Sequence, residues 1–446
     1  MTSTAEDVRD VRPRRQRVSM LVAVGLCLPG AVSRLVGFHG EVGLMALLFG
    51  LAIVGAAFML SWAAEVAQLD MSAGLAIALL AFIAVLPEYA VDLVFAWKGG
   101  NAVEKFGPAC RAAGSTTESP CSLALANMTG ANRLLIGVGW SLVVFLAWYA
   151  MRRRERGNGT GGGGAGLREV RLERSHSVEL AFLTVASAYS LTLPLKHSIT
   201  LVDAAILVAL FVAYTVRISR APAEEPHLVG PALYVATFSE RRRRLTVLAL
   251  FLFAAGVILL CAEPFAESLV ETGAKFGVSE FLLVQWLAPL ASEAPELLVA
   301  GLYAWRLNTN AGLGTLVSSK VNQWTLLVGT LPIVFAIASG SHHGLPIVAR
   351  QREELFLTAA QSVFAVAILA NLSISMREAA MLFALFWAQF VVGAVVPSSW
   401  HGIELVAVGI VYLVLAAGYF LGHRKAMPTL LRDGVRTPYA QLTGEA

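Results

Sequence analysis

Apolar residues in this 446-residue chain come in long runs separated by short polar stretches. The runs lie near 18–36, 42–67, 71–97, 122–150, 178–194, 198–217, 245–268, 279–305, 311–338, 355–371, 377–396 and 401–422. Crossing the roughly 30 Å hydrocarbon core of a bilayer takes about 20 helical residues. The pattern therefore predicts an all-α integral membrane protein with about 12 transmembrane helices. The first run is interrupted by Leu28-Pro29-Gly30 and lacks a small-residue cleavage site, so it reads as a retained helix rather than a signal peptide. The longest polar stretches, about 151–177 and 218–244, are connectors, and Gly157–Gly164 has the composition of a flexible linker.

Composition supports the same class: 57% of residues are hydrophobic, 14% are charged and the mean hydropathy is +0.68, which excludes an ordinary soluble globule. The net charge of +4 says less than where the positive residues fall. Basic clusters at Arg12–Arg17, Arg152–Arg156, Arg241–Arg244 and His423–Lys425 all lie on one side if there are twelve spans. The positive-inside rule makes that side cytoplasmic. The expectation is a plasma (inner) membrane protein with both termini in the cytoplasm. These clusters are topology signals, so the lipid bilayer is an expected partner, nucleic acid is not, and protein partners are left open. Cys27 and Cys261 lie in apolar spans and read as packing residues. Cys110 and Cys121 flank a polar loop predicted to be external, where a disulfide can persist; the sequence leaves that pairing open.

A Pro-Glu pair breaks the apolar pattern twice, at Pro87-Glu88 and Pro295-Glu296. At the same offset Val91, Ala96 and Trp97 recur as Val299, Ala304 and Trp305. An ionisable group at the bilayer centre costs about 3 kcal/mol or more. Each proline also frees the carbonyl four residues back, here Ile83 and Ala291. A freed carbonyl beside a carboxylate is a place to bind a cation. A second repeat, Glu-x-x-Phe-Leu-Thr-x-Ala, starts at Glu179 and again at Glu353. Two signatures in one order make helices 2–6 and 7–11 homologous halves. Five helices is an odd number, so the halves run in opposite directions, as in many secondary transporters. The expected domains are an N-terminus with an extra helix (1–41), a first repeat (42–217), a linker (218–244), a second repeat (245–396), and an extra helix with a tail (397–446).

The third span carries Glu88 and Asp92, spaced i, i+4; the eighth carries Glu293 and Glu296, spaced i, i+3. Each pair shares a helix face. The fourth span opens with Ala126-Asn127-Met128-Thr129-Gly130-Ala131-Asn132-Arg133, and the ninth with Gly314-Thr315-Leu316-Val317-Ser318-Ser319-Lys320. Carboxylate, amide and hydroxyl oxygens of this kind suit hard cations such as sodium and calcium.

Pro-Glu in one helix and Asn-x-x-Gly-x-Asn in the next, in two copies, resembles the calcium:cation antiporter superfamily, whose best-known members are the sodium/calcium exchangers. The usual pattern there is Gly-Thr-Ser-x-Pro-Glu followed by Gly-Asn-x-x-Gly-Ser-Asn. The resemblance covers roughly residues 42–396 and implies a ten-helix transporter with inverted five-helix halves, in which Glu88 and Glu296 are the principal metal ligands. Departures are visible. Ala84 and Val85 replace Thr and Ser, Ala291-Ser292-Glu293 replaces Gly-Thr-Ser, and Lys320 stands where the last motif Asn belongs.

The expected function is secondary active antiport of Ca2+ or Na+ by alternating access through the mid-membrane carboxylates, with no cofactor beyond the transported Ca2+, Na+ or H+. Glu88, Glu296, Asn127, Asn132, Ser292, Thr315 and Ser319 are the expected cation ligands; Asp92, Glu293, Lys320 and Arg133 tune charge or carry protons. Lys320 either takes a cation position or forms a salt bridge to Glu293 or Glu296. The runner-up is a proton-coupled Na+/H+ or Ca2+/H+ antiporter. Outside ion exchange, the alternatives are an intramembrane Glu-dependent hydrolase and a non-transporting scaffold. The chain is expected not to be an enzyme, and no Gly-x-x-x-x-Gly-Lys-Ser/Thr run points to ATP.

Overall fold

A computed structural model describes residues 13–70, 86–112, 118–157, 169–221, 228, 230–277, 279–397 and 400–443. Among the described residues a helix lies in each of the twelve apolar runs, the third being described only from residue 86 on: α1 (Pro13–Leu35), α2 (Val42–Ala67), α3 (Leu86–Phe106), α4 (Pro120–Leu134) continuing through a π segment into α5 (Ser141–Gly157), α6 (Ser177–Ser190), α7 (Leu201–Ile218). After the short α8 (Pro231–Ala236) come α9 (Glu240–Phe276), α10 (Glu280–Trp305), α11 (Thr309–Asn322) continuing through a second π segment into α12 (Val328–Ser339), α13 (Ala349–Leu369), α14 (Met376–Val395) and α15 (His401–Gly422). Two short helices end the chain, α16 (Ala426–Val435) and α17 (Tyr439–Leu442). The Ile83 carbonyl, Ala84, Val85 and most of the Gly157–Gly164 linker lie outside the described residues.

Among the described residues, nine spans are long and apolar enough to cross a membrane. The others, α3, α10 and α13, are 21, 26 and 21 residues long, so length is not what sets them apart. They hold Glu88 and Asp92, Glu293 and Glu296, and Glu353 and Glu354, charges that lower hydropathy.

The chain divides into two compact units, residues 1–94 with 219–295 and residues 95–218 with 296–446. In the first, α2 lies between α1 and α9. Small residues let these backbones approach closely: a Cβ on Gly30 would sit 2.7 Å from the Leu48 carbonyl oxygen, and one on Gly55 2.5 Å from that of Ala23. Glu41, which caps the start of α2, pairs with Lys275 near the end of α9 at 2.6 Å. Asp70, just past the other end of α2, pairs with Arg243 in the first turn of α9 at 2.6 Å. The two helices are thus antiparallel. Arg17 donates to Tyr234 Oη at 2.7 Å, and Tyr234 lies in α8, just before the Arg241–Arg244 cluster.

In the second unit, two small antiparallel sheets show how the repeats are oriented. Strand β1 (Glu169–Arg171) leads into α6, β2 (Ser198–Ile199) follows it, β3 (Leu345–Pro346) leads into α13, and β4 (Ser373–Ser375) follows it. β1 pairs with β4, Val170 opposite Ile374; β2 pairs with β3, Ile199 opposite Leu345. The start of α6 therefore meets the end of α13, and the end of α6 meets the start of α13. These helices carry the two Glu-x-x-Phe-Leu-Thr-x-Ala copies and run in opposite directions, as an inverted repeat requires. Thr184 and Thr358, at matching positions of the two copies, each donate to the carbonyl four residues back, at 2.6 and 2.7 Å. Cys110 and Cys121 form a disulfide.

Candidate cation site

The π segments follow from the same repeat. One covers Leu135–Trp140 and the other Gln323–Leu327. The offset of 188 residues that matches Asn132 with Lys320 also matches Leu135 with Gln323, the first residue of each segment. A π turn widens a helix by one residue and recurs at functional sites. Here each follows directly after the residues nominated as ligands.

Asn132 and Lys320 meet. The Asn132 amide nitrogen donates to the Met128 carbonyl at 2.8 Å, which turns its Oδ1 away from its own helix. Lys320 Nζ donates to that Oδ1 at 2.6 Å and to the Asn132 backbone carbonyl at 3.0 Å. The ammonium also lies 4.5 Å from the centre of the Trp324 ring. Lys320 and Asn132 are both 0% exposed. Residues at equivalent positions of two repeats touch each other only near the axis relating those repeats, so this contact marks the pseudo-axis of the second unit. Two oxygens of one residue converge there on a positive charge, as they would on a metal ion, and the charge is the lysine's own.

Glu296 and Ser319 are also neighbours in this unit, with the Ser319 hydroxyl beside the Glu296 carboxylate. The contact falls short of a well-formed hydrogen bond: Glu296 Oε2 and Ser319 Oγ are buried polar atoms without such a partner among the described residues. Asn127, five residues before Asn132, is also buried. Thr315 is exposed, and its hydroxyl donates to the Ala311 carbonyl at 2.8 Å. Glu88, Asp92, Ser292 and Glu293 belong to the other unit and are buried there. Ser292 donates to the carbonyls of Ala288 and Pro289, at 3.3 and 3.2 Å. Both hydroxyls spend their proton on their own helix and keep lone pairs for a cation.

Arg133 has a partner that sequence reasoning missed. Its guanidinium donates to Glu354 Oε2 at 2.6 Å and, through the other terminal nitrogen, to the side-chain carbonyl of Gln389. Glu354 offsets the charge of Arg133. Glu354 lies inside the repeated segment that begins at Glu353, just before the apolar run at 355–371. Its pairing with residue 133 is tertiary and leaves no local signal.

The sequence profile of the sodium/calcium exchanger protein family matches residues 41–219 and 246–418. The chain belongs to that family. It is an integral membrane antiporter of inorganic cations built on an inverted repeat. The exchanger profile runs past residue 396 into α15, further than the sequence motifs extend. Among solved structures, the chain is similar to the H+/Ca2+ exchanger CAX, with 39% identity over 97% of this chain and 99% of the other and a TM-score of 0.83. The Ca2+/H+ antiporter protein YfkE, in its selenium-substituted form, shares the fold at 17% identity over 90% and 99% of the two chains, with a TM-score of 0.52. No curated protein sequence matches the exchanger significantly.

Proposed function

We propose that this exchanger moves Ca2+ against protons across the plasma (inner) membrane, with both termini in the cytoplasm. The observation that carries the reading is Lys320 Nζ on the two oxygens of Asn132. An ammonium there fills a position where a coupling sodium would otherwise bind. The likeness to the H+/Ca2+ exchanger CAX supports the same choice.

Glu88 and Glu296 are the principal ligands, as expected of hard-cation sites built from carboxylate oxygen. Asn127, Ser292, Thr315 and Ser319 add neutral oxygens, and Asn132 orients Lys320. Asp92 and Glu293 adjust the charge at the site and accept protons. Protonating a ligand carboxylate removes the charge that holds the metal, so proton uptake on one side and cation release there are a single event. The repeats at 42–217 and 245–396 expose the site to one side at a time. The protein turns over no substrate and engages no nucleic acid.

Calcium flux in proteoliposomes under an imposed pH gradient tests the reading. Wild type should carry calcium, and Glu296→Gln should reduce flux to the level of empty vesicles. Flux retained in the variant would remove Glu296 from the site. Absence of flux in wild type under either a proton or a sodium gradient would favour the scaffold reading.

A further inference from the structure

Arg241-Arg242-Arg243-Arg244 lies in the first turn of α9, and the fold treats its four charges in two ways. Arg243 pairs with Asp70 at 2.6 Å; Arg244 pairs with Glu240 at 2.6 Å and with Asp70 at 3.4 Å. Among the described residues, Arg241 and Arg242 form no ion pair. Both are exposed, and the Arg242 guanidinium lies 4.3 Å from the centre of the Phe238 ring. A ring contact of this kind fixes the side chain and leaves its charge unneutralised.

These two arginines stand at one end of a groove between α1, α2 and α9. Its volume is about 670 Å³, inside the roughly 300–1,000 Å³ range of small-molecule sites. The polar lining is confined to the start of α9, where Ser239 and Thr246 join the arginines. Farther along, the walls are apolar: Leu250 and Phe253 on α9, Val24 on α1 and buried Met59 on α2. From Arg241 to Phe253 the helix rises about 18 Å, and Met59 lies about 12 Å before the end of α2 that meets Arg243. One leaflet of a bilayer holds about 15 Å of hydrocarbon. Leu245 and Phe253 are 59% and 39% exposed, so the groove is open along its side.

A small soluble anion would use only the charged end of this groove, and an apolar molecule only its walls. A phospholipid has both parts in the order and at the length that the groove presents. We propose that the groove binds one anionic phospholipid of the surrounding bilayer, with its phosphate on Arg241 and Arg242 and an acyl chain against Val24, Met59, Leu250 and Phe253. Basic pockets between membrane helices recognise anionic headgroups in this way. Charge complementarity selects an anionic headgroup, because a zwitterionic one brings its own cation to two arginines that need a counter-charge. The lining residues all belong to the first unit, on helices that carry none of the proposed cation ligands. The inference therefore does not depend on which cation the protein carries.

Native mass spectrometry of the full chain in detergent, titrated separately with phosphatidylglycerol, phosphatidylcholine and glycerol 3-phosphate, tests the site. Phosphatidylglycerol should bind as one tight equivalent. Arg241→Gln combined with Arg242→Gln should weaken it about 30-fold, the size expected of two basic residues at a lipid surface. Ala249→Trp fills an exposed position of the groove wall without removing charge, and should weaken binding as well. Arg14→Gln combined with Arg15→Gln removes the same charge from exposed positions at the start of α1 and should leave binding as in wild type. Unchanged binding in either groove variant, or an equal loss in the Arg14 and Arg15 variant, would overturn the proposal. Equal affinity for phosphatidylcholine or for glycerol 3-phosphate would overturn it too, the first pointing to a groove without headgroup recognition and the second to a soluble anion.

Discussion

The two π-bearing helices of the second unit, α4 with α5 and α11 with α12, carry the same backbone device at matched positions and opposite chemistry. In the first, an amide at position 132 offers oxygens; in the second, an ammonium at position 320 takes them. Had both halves kept an amide, two oxygen donors would converge on the pseudo-axis and call for a metal ion. With Lys320 in place the protein supplies that positive charge itself. Lys320 makes a fixed internal contact here, while the helices on both sides keep matching π segments. The first helix carries a further asymmetry: Arg133, next in line, reaches a carboxylate on α13, whereas its counterpart by position, Val321, is apolar.

The largest effect should come from breaking the Arg133 contact. Arg133→Gln leaves Glu354 buried without its cation and should cost about 3–5 kcal/mol of stability, read as a lowered midpoint of thermal unfolding in detergent. The matched change in the other half, Val321→Ala, should cost less, because it removes apolar contacts alone. Next, Asn132→Leu withdraws the amide oxygen from a buried ammonium. Hydrogen bonds to charged groups are worth about 1.5–3 kcal/mol, and the same unfolding measurement should show a loss of that size. Ser319→Ala removes one neutral oxygen beside Glu296, and calcium affinity measured by equilibrium binding should fall about fivefold, ~1 kcal/mol. Thr315→Val, at an exposed position, should change it less.

The smallest effect belongs to the ends of the equivalent helices α6 and α13. Near the start of α6, Arg174 donates to Asp433 at 2.7 Å and holds that carboxyl below the usual aspartate range; near the start of α13, Arg350 faces Glu118 at 3.4 Å with both side chains partly exposed. Because the folded state lowers the proton affinity of Asp433, the pair stabilises the fold above the ordinary aspartate pKa of about 3.9 and loses that contribution as pH falls through the lower folded value. Asp433→Asn should therefore cost about 1 kcal/mol at neutral pH, with the difference from wild type fading in acid, as measured by unfolding across pH. Arg350→Gln should barely register.

The sequence pattern located the membrane helices among the described residues, because a membrane span is written in continuous apolar length. The inverted repeat was equally legible from Glu179 and Glu353, since an odd helix count leaves no other orientation. Antiparallel pairing of β1 with β4 and β2 with β3 displays the inversion directly. Asn132 and Lys320 were identified as matched positions, but their contact was not, because two residues 188 apart give no local sign of touching. Glu354, Gln389 and Glu404 were illegible for the same reason. Their positions can be read from the sequence, but only packing shows that all three face Arg133. The bonds of Ser292 and Thr315 to the preceding turn appear only in the folded helix.

The central claim is that Lys320 occupies a position sodium would need. Calcium flux driven by a sodium gradient, at equal pH on both sides, tests it in wild type and in Lys320→Asn. The account predicts no sodium-driven flux in wild type and sodium sensitivity gained in the variant, where a second amide restores the symmetric oxygen pair. Sodium-driven calcium flux in wild type would contradict it.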